Sequence, residues 1–336
     1  DLPEGPLSTR QRPGGMTPRV EAQAVPEHPP AVGIPGEPAR HRLIDPALLA
    51  VAFIWGGNFV VYKIVLETVP PLALVGVRFG LMTPVLFLLL WLRHERLMLR
   101  REDLLCLLWA GLVVMGGQQV TFIIAVDMTS ASEAALLITS APIFTALIAV
   151  LSGQERLSKV NWLGVLVGFV GVTLVLSVGL AGSSGGGSHL TGNLIMLGSA
   201  MLYGYFMALS RDLVRRYGGL KTVAYCYALS CVAIVPLSLP QLLATPWARL
   251  DLFTWALLVG YIGLLAGLWA FAVWYTTIGR TSAAATAVYQ YLVPVVAMAA
   301  AAMFLGEKPQ TVQLAGAVIV LAGLGFARWT PGRKPL

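Results

Sequence analysis

Arg78 stands in an apolar run, seven positions past Pro71, where a guanidinium has little water to hold it. Charged and polar groups are costly inside hydrocarbon, so each one there is a candidate functional group. A guanidinium at that depth offers a fork for a carboxylate. Its other uses are an ion pair with Glu67, Asp127 or Glu133, or snorkelling to the nearer boundary. Glu133 is the carboxylate most clearly inside an apolar stretch. A desolvated carboxylate can take up and release a proton, or serve as the partner of Arg78. Asn58, the adjacent Gln118 and Gln119, and Gln290 between Tyr289 and Tyr291 supply neutral amides. Such amides hydrogen-bond the two ends of a zwitterion, or tie helices together. Neighbours on a helix point about 100° apart, so one of Gln118 and Gln119 is expected to face a central cavity. Trp55, Tyr203, Trp269 and Tyr289 fall toward the middles of apolar runs, beyond the reach of interfacial aromatic belts. Aromatic walls with few fixed charges suit a partly apolar zwitterion of moderate size. Lys63 ends its apolar run and reads as a snorkelling cation.

Bond-making chemistry finds no such support. The four histidines, His28, His41, His94 and His189, fall in an N-terminal tail or in expected loops, and HExxH does not occur. No GxxxxGK[ST] loop is present to hold a nucleotide. Cys106, Cys226 and Cys231 lie in apolar runs without a CxxC pair, so neither a disulfide nor a metal site is expected. The reading is binding and passage of a small molecule, with no enzyme activity, no cofactor and no metal.

The elements that must position these groups are membrane spans. The chain is 57% hydrophobic and 12% charged, against roughly 25% charged for soluble domains. Apolar stretches of about 20 residues, the length that crosses hydrocarbon, recur from Ala47 onward. Charged and Pro/Gly breaks divide them into ten expected helical spans: 46–66, 71–92, 103–126, 130–151, 160–180, 190–210, 221–243, 252–276, 281–304 and 311–328. Residues 1–45, rich in Pro and Gly, are expected to form a disordered cytoplasmic tail. The chain opens on Asp1, as a processed or shortened chain would, with Met16 a candidate start. Residues 181–189 read as a Gly/Ser linker and 329–336 as a C-terminal cytoplasmic tail. With the N-terminus inside, 19 Lys and Arg fall on the inner side and two, Arg249 and Lys308, on the outer. That asymmetry places both termini in the cytoplasm. The net charge of +7 is then a topology signal, and no nucleic-acid partner is expected.

The chain also repeats itself. "TSASEAALLITSAPIFTALIAVLSGQE" (Thr129–Glu155) returns as "TSAAATAVYQYLVPVVAMAAAAMFLGE" (Thr281–Glu307) at an offset of 152. Pro142 answers Pro294, Glu155 answers Glu307, and Gly164 and Gly171 answer Gly316 and Gly323. "AFIWGGNFVVYK" from Ala52 sits more weakly over "AMLYGYFMALSR" from Ala200. Each half then has five spans, an odd number, so the second enters the membrane upside down. Inverted halves are the architecture of alternating-access carriers, with substrate near the midplane. Pro142 and Pro294 are expected to kink the fourth and ninth spans.

These residues carry a family resemblance. Trp55-Gly56-Gly57-Asn58-Phe59, "PPLALVGVRF" (Pro70–Phe79), the paired Thr-Ser-Ala openings and the closing "GQE" and "LGE" resemble EamA domains of the drug/metabolite transporter superfamily. The resemblance spans about residues 46–328, one repeat over 46–180 and another over 190–328. It is nearest to bacterial exporters of amino acids and related metabolites, including the YddG-type exporters of aromatic amino acids. It implies an all-α inner-membrane protein of two inverted five-helix EamA repeats. The expected function is secondary export of aromatic or other neutral amino acids, or similar metabolites, by a monomer or homodimer. Carriers of phosphorylated metabolites or nucleotide sugars, and drug-efflux permeases, are the alternatives. Glu133 departs from the family pattern, which often has a small or apolar residue at that place.

Overall fold

Hydropathy and capping chemistry together build the helices. The computed structural model describes residues 45–95, 97–153, 158–180, 187–278 and 283–327, all within the unit that begins at Ile44. Residues 1–44 of the predicted N-terminal tail, the predicted C-terminal tail, Glu155 and residues 181–186 of the predicted linker lie outside the described residues. Asp45 caps the first helix by accepting the Ala47 N–H at 2.8 Å. Pro46 follows, where a missing N–H leaves no bond unmade. The helices are α1 (Pro46–Leu66), α2 (Pro71–Leu92), α3 (Arg101–Met128), α4 (Ala131–Leu151) and α5 (Lys159–Leu180). After them come α6 (Gly187–Tyr217), α7 (Gly219–Ala244), α8 (Leu252–Trp274), α9 (Ala283–Phe304) and α10 (Thr311–Ala327). Among the described residues, eight helices are long and apolar enough to cross a bilayer, and Tyr289–Phe304 and Thr311–Gly323 form shorter apolar helices. The secondary structure is helical throughout the described residues, and large apolar side chains such as Trp91, Leu105, Leu166 and Val318 face outward, as in a lipid-facing surface. The chain is a multi-pass membrane protein.

Several boundaries differ from the sequence expectation. Helix α6 starts at Gly187 and runs to Tyr217, so Gly187, Ser188 and His189 belong to it and not to the linker. Apolarity marks where a chain meets lipid, whereas a helix continues until a residue stops it. Here Arg211, Asp212, Arg215 and Arg216 carry the helix past the apolar stretch, and Gly218, at φ 81, ends it. The two prolines also behave differently. Helix α4 breaks at Thr139 and Ser140, with Pro142 opening its second segment, Ala141–Leu151. The hydroxyls of Thr139 and Ser140 donate back to the Ala135 and Leu137 carbonyls at 2.6 Å each, in the turn where the helix breaks. Helix α9 instead runs through Pro294 without interruption. Two stretches that no sequence signal announced widen to π-helix, Trp109–Met115 in α3 and Ala256–Trp269 in α8. Shifting the first by the 152-residue offset of the repeat lands it inside the second.

Packing repeats as well. Helix α5 lies along α10, α2 along α7, α1 along α9 and α6 along α4. A methyl group placed on Gly56 would come 2.6 Å from Val296 and 2.9 Å from the Val293 carbonyl. On Gly204 it would come 2.8 Å from both Phe144 and the Ala141 carbonyl. Phe144 and Ala141 precede Val296 and Val293 by the same 152 positions, so one contact is made twice by corresponding residues. The α5–α10 seam is closer still. A methyl on Gly171 would lie 2.5 Å from the Val320 nitrogen, and one on Gly323 would lie 2.3 Å from the Gly168 nitrogen. Backbone meets backbone there, as in small-residue contacts between membrane helices.

Gly323→Val is therefore expected to lower the melting temperature of the detergent-purified protein, at an overpacking cost of about 1–3 kcal/mol. Gly325→Ala, whose methyl meets no atom within 4 Å, should leave it unchanged. Equal melting of the two variants in a thermal-shift assay would refute the seam.

Candidate functional site

Arg78 is buried between α1, α3 and α7, and its partners are neutral. Its Nη1 donates to the Tyr62 hydroxyl at 2.8 Å and to Gln119 Oε1 at 3.2 Å. The guanidinium carbon lies 5.9 Å from the centre of the Phe79 ring, within cation–π range. Phe79 in turn stacks on Tyr227 at 4.4 Å. Among the described residues Arg78 has no carboxylate within ion-pair distance. The expected pairing with Glu67, Asp127 or Glu133 is not formed. Arg78 Nε and the Tyr227 hydroxyl are both buried without a hydrogen-bond partner, and so is Asn58 Oδ1. Asn58 lies four residues before Tyr62 on α1, which puts both side chains on one face of the helix.

The adjacent glutamines diverge as their helical geometry requires. Gln119 reaches Arg78, while Gln118 is buried against α6, where its Nε2 donates to Ser199 Oγ at 3.2 Å and its carbonyl accepts from the same hydroxyl at 3.1 Å. Gln118 thus ties α3 to α6. A second group forms around Trp55, whose Nε1 donates to the Ala266 carbonyl at 3.1 Å and whose ring packs on Phe271 and Trp274 at 5.2 and 5.1 Å. Tyr289 joins this cluster and accepts the Asp45 N–H at 2.7 Å. The Ala266 carbonyl lies in the π-helical stretch of α8, where irregular backbone frees carbonyls for such bonds. Tyr203 packs instead with Ala141, Phe144 and Ala200. Trp269 is 42% exposed on α8, and Gln290 is half-buried on α9. The structure therefore unites Arg78 with Gln119, and Trp55 with Tyr289, without joining all the candidates in one chamber.

A third group surrounds Glu133 at the Lys63 end of α1. Glu133 is 4% exposed. Its Oε1 accepts from Gln313 Nε2 at 2.7 Å and its Oε2 from the Thr129 hydroxyl at 2.8 Å, with His189 Nδ1 3.8 Å away. Helices α4, α6 and α10 thus meet at one carboxylate. Beside it Glu307 accepts from the Ala131 N–H at 2.8 Å, the Ser132 N–H at 3.1 Å and the Ser132 hydroxyl at 2.6 Å, capping α4 from the end of α9. Lys63 donates to the Val126 and Asp127 carbonyls at 3.1 Å each, as a cation at the end of α3 should. A cleft of about 440 Å³ opens there among Lys63, Leu66, Glu67, Asp127, Leu305 and Glu307.

Sequence reasoning passed over Tyr62, Tyr227, Thr129, Asn193, Gln313 and His189. One signal was available, because Ser130-x-x-Glu133 has capping-box spacing, and Ser130 Oγ does accept the Glu133 N–H at 3.1 Å. The carboxylate leaves the box for partners on other helices.

The model of the EamA-like transporter family matches residues 42–177 and again 190–329. An uncharacterized transporter of Archaeoglobus fulgidus is 29% identical over 82% of this chain and 94% of its own length. A probable amino-acid metabolite efflux pump of Salmonella typhimurium is 28% identical over 82% of this chain and 91% of its own. A solved crystal structure superposes with a TM-score of 0.57 over 84% of this chain and 98% of that one, at 18% identity, and so shares the fold.

Replacing Glu307 by Ala removes the acceptor of three hydrogen bonds at the start of α4. Denaturation of the purified variant is expected to show a loss of about 2 kcal/mol, and an unchanged unfolding midpoint would show that the cap is dispensable.

Proposed function

We propose that this chain, which belongs to the EamA-like transporter family, exports amino acids or similar zwitterionic metabolites by alternating access. As a member of that family within the drug/metabolite transporter superfamily it is a transporter and not an enzyme. The observation that carries the finer reading is the pair of unmatched groups around Tyr62. Arg78 is a buried cation without a carboxylate among the described residues, and Asn58 Oδ1 is a buried acceptor without a donor. An unpaired buried charge is expensive, and a ligand carboxylate at Arg78 would relieve it. The ligand's ammonium would meet Asn58, one helical turn along α1. Phe59 and Phe122, with Tyr62, supply apolar walls beside these groups, their rings 5.7 to 6.0 Å apart.

The paired contacts of Gly56 and Gly204, the mutual α5–α10 seam and the twin π-helical stretches support two inverted five-helix halves, ten spans in all. Substrate lies between the halves. Both termini are cytoplasmic, the membrane is the inner membrane, and the Lys63 end of α1 faces outward. The working unit is a monomer or homodimer. The Salmonella relative's name as a probable amino-acid metabolite efflux pump agrees with the substrate class. A phosphorylated metabolite or nucleotide sugar would want several cations at one place. Lys63 is instead engaged with carbonyls at the end of α3, so Arg78 stands without a second cation from it.

Counterflow in proteoliposomes tests this reading. Vesicles preloaded with unlabelled aromatic or aliphatic amino acids are expected to accumulate the labelled amino acid. The corresponding methyl esters and des-amino acids should exchange at least about tenfold less, the loss expected when a buried partner is left unpaired. Arg78→Lys, which loses the planar fork, and Asn58→Leu should each lower exchange while leaving expression intact. Exchange confined to nucleotide sugars, phosphorylated compounds or a cationic dye would overturn the assignment.

A further inference from the structure

The group at Glu133 contains a hydrogen-bond chain that is one proton short. The Thr129 hydroxyl lies within hydrogen-bond reach of two acceptors, Glu133 Oε2 and Asn193 Oδ1, but has a single hydrogen to give. Asn193 is fully buried, and its Nδ2 has no partner. Two arrangements give the Thr129 hydroxyl one donor and one acceptor. In one, Glu133 is protonated and donates to Thr129, which donates to the Asn193 carbonyl oxygen. In the other, Glu133 is charged, Thr129 donates to it, and the Asn193 amide turns to donate to Thr129. The direction of the chain therefore follows the proton on Glu133. Gln313 cannot adjust in the same way, because its Oε1 accepts the Gln310 N–H at 2.8 Å, which fixes Nε2 as the donor to Glu133. One carboxylate oxygen is thus anchored to α10, and the other faces a reversible chain into α6.

The site also has a way to water. The His189 side chain is 31% exposed, the Glu133 side chain 5%, and they lie 3.8 Å apart. Imidazole is the side chain suited to passing protons near neutral pH. The other titratable groups on this side of the chain are Lys63, Glu67, Asp127, Arg249, Asp251, Glu307 and Lys308. Glu307 is occupied by the Ala131 and Ser132 amides and Lys63 by carbonyls. His189 is the one among them within ion-pair distance of Glu133.

We infer that Glu133 is a reversible proton-binding site, loaded from the solvent through His189 and reported to α6 through Thr129 and Asn193. Loading adds one proton to one carboxylate oxygen, and release returns it by the same route. Because α4, α6 and α10 hold the site together, any movement that parts them withdraws the donors that favour the carboxylate, so proton occupancy and helix position are linked. The use of this link to drive export rests on the transporter reading above, but the site itself does not.

The test needs no substrate. Infrared difference spectra of the purified full-length protein in lipid nanodiscs, recorded while the pH is stepped, are expected to show the carbonyl stretch of one buried carboxylic acid appearing as pH falls. The band should be absent from Glu133→Gln. In His189→Ala the band should appear more slowly after each pH step, since the imidazole is the group that links the buried carboxylate to solvent. Spectra in which wild type and Glu133→Gln coincide would overturn the proposal. Should Glu133→Gln fail to fold, His189→Ala, altered at the rim, carries the test, and an unchanged rate of appearance overturns the route. Counterflow of amino acids by a protein without this band would separate a failure here from a failure of the exporter reading.

Discussion

The bilayer offers no water to a polar group in its interior, so every donor and acceptor there must find its partner within the chain. That constraint explains the all-helical architecture and much of its detail. Hydroxyls fold back onto their own helices, as Thr121 does onto the Gly117 carbonyl and Thr145 onto that of Ala141. Trp55 reaches the π-helical carbonyl of Ala266, and Gln118 closes a reciprocal pair with Ser199. Against that background the exceptions carry information. The buried side-chain atoms left without a partner among the described residues are Asn58 Oδ1, Arg78 Nε, Asn193 Nδ2 and the Tyr227 hydroxyl. All four lie in or beside the two groups that hold a buried charge.

Much of the organisation was legible in the sequence, for reasons that particular residues make plain. The recurrence of Gly171 at Gly323 was visible as a pattern, and both glycines prove to sit where a methyl group has no room. Small residues at a fixed offset are legible because close packing tolerates nothing else there. The divergence of Gln118 and Gln119 followed from helical geometry alone. The partner of Arg78 was not legible. Choosing among Glu67, Asp127 and Glu133 requires the depth and rotation of three helices, which hydropathy does not encode. The mismatch between Pro142 and Pro294 has a similar cause. Both lack an N–H, but near Pro142 the hydroxyls of Thr139 and Ser140 can serve the carbonyls of a broken helix. The corresponding residues of the second repeat, Tyr291 and Leu292, have no hydroxyl placed to do so.

The apolar and polar interfaces divide the work. Contacts at Gly56, Gly204, Gly171 and Gly323 are made of backbone and apolar side chains in close approach. Such surfaces keep their packing through small rotations better than a hydrogen-bonded one does. At the Lys63 end directional bonds join the helices as well, Glu307 tying the end of α9 to α4 and Glu133 tying α4 to α10. Parting these helices breaks specific bonds, so this arrangement of them has a definite stability.

The repeat is least faithful where that stability is set. Gln313 and Asn161 stand 152 residues apart and do the same local task. Gln313 accepts the N–H of Gln310 and Asn161 that of Ser158, each capping its own helix. Their amide nitrogens then part company, Gln313 donating to Glu133 and Asn161 to the Phe326 carbonyl. The residue corresponding to Glu133 is Ala285, so the second copy of this arrangement carries no carboxylate. A ligand shifts a conformational equilibrium only by its difference in affinity for the two states. Were both ends furnished alike, exchange of the halves would turn one state into the other, and a proton would gain nothing from the choice. A carboxylate on one side alone removes that equivalence. On the alternating-access proposal, the symmetry of the glycine contacts would supply two accessible states, and the asymmetry at Glu133 would allow a single proton to distinguish them.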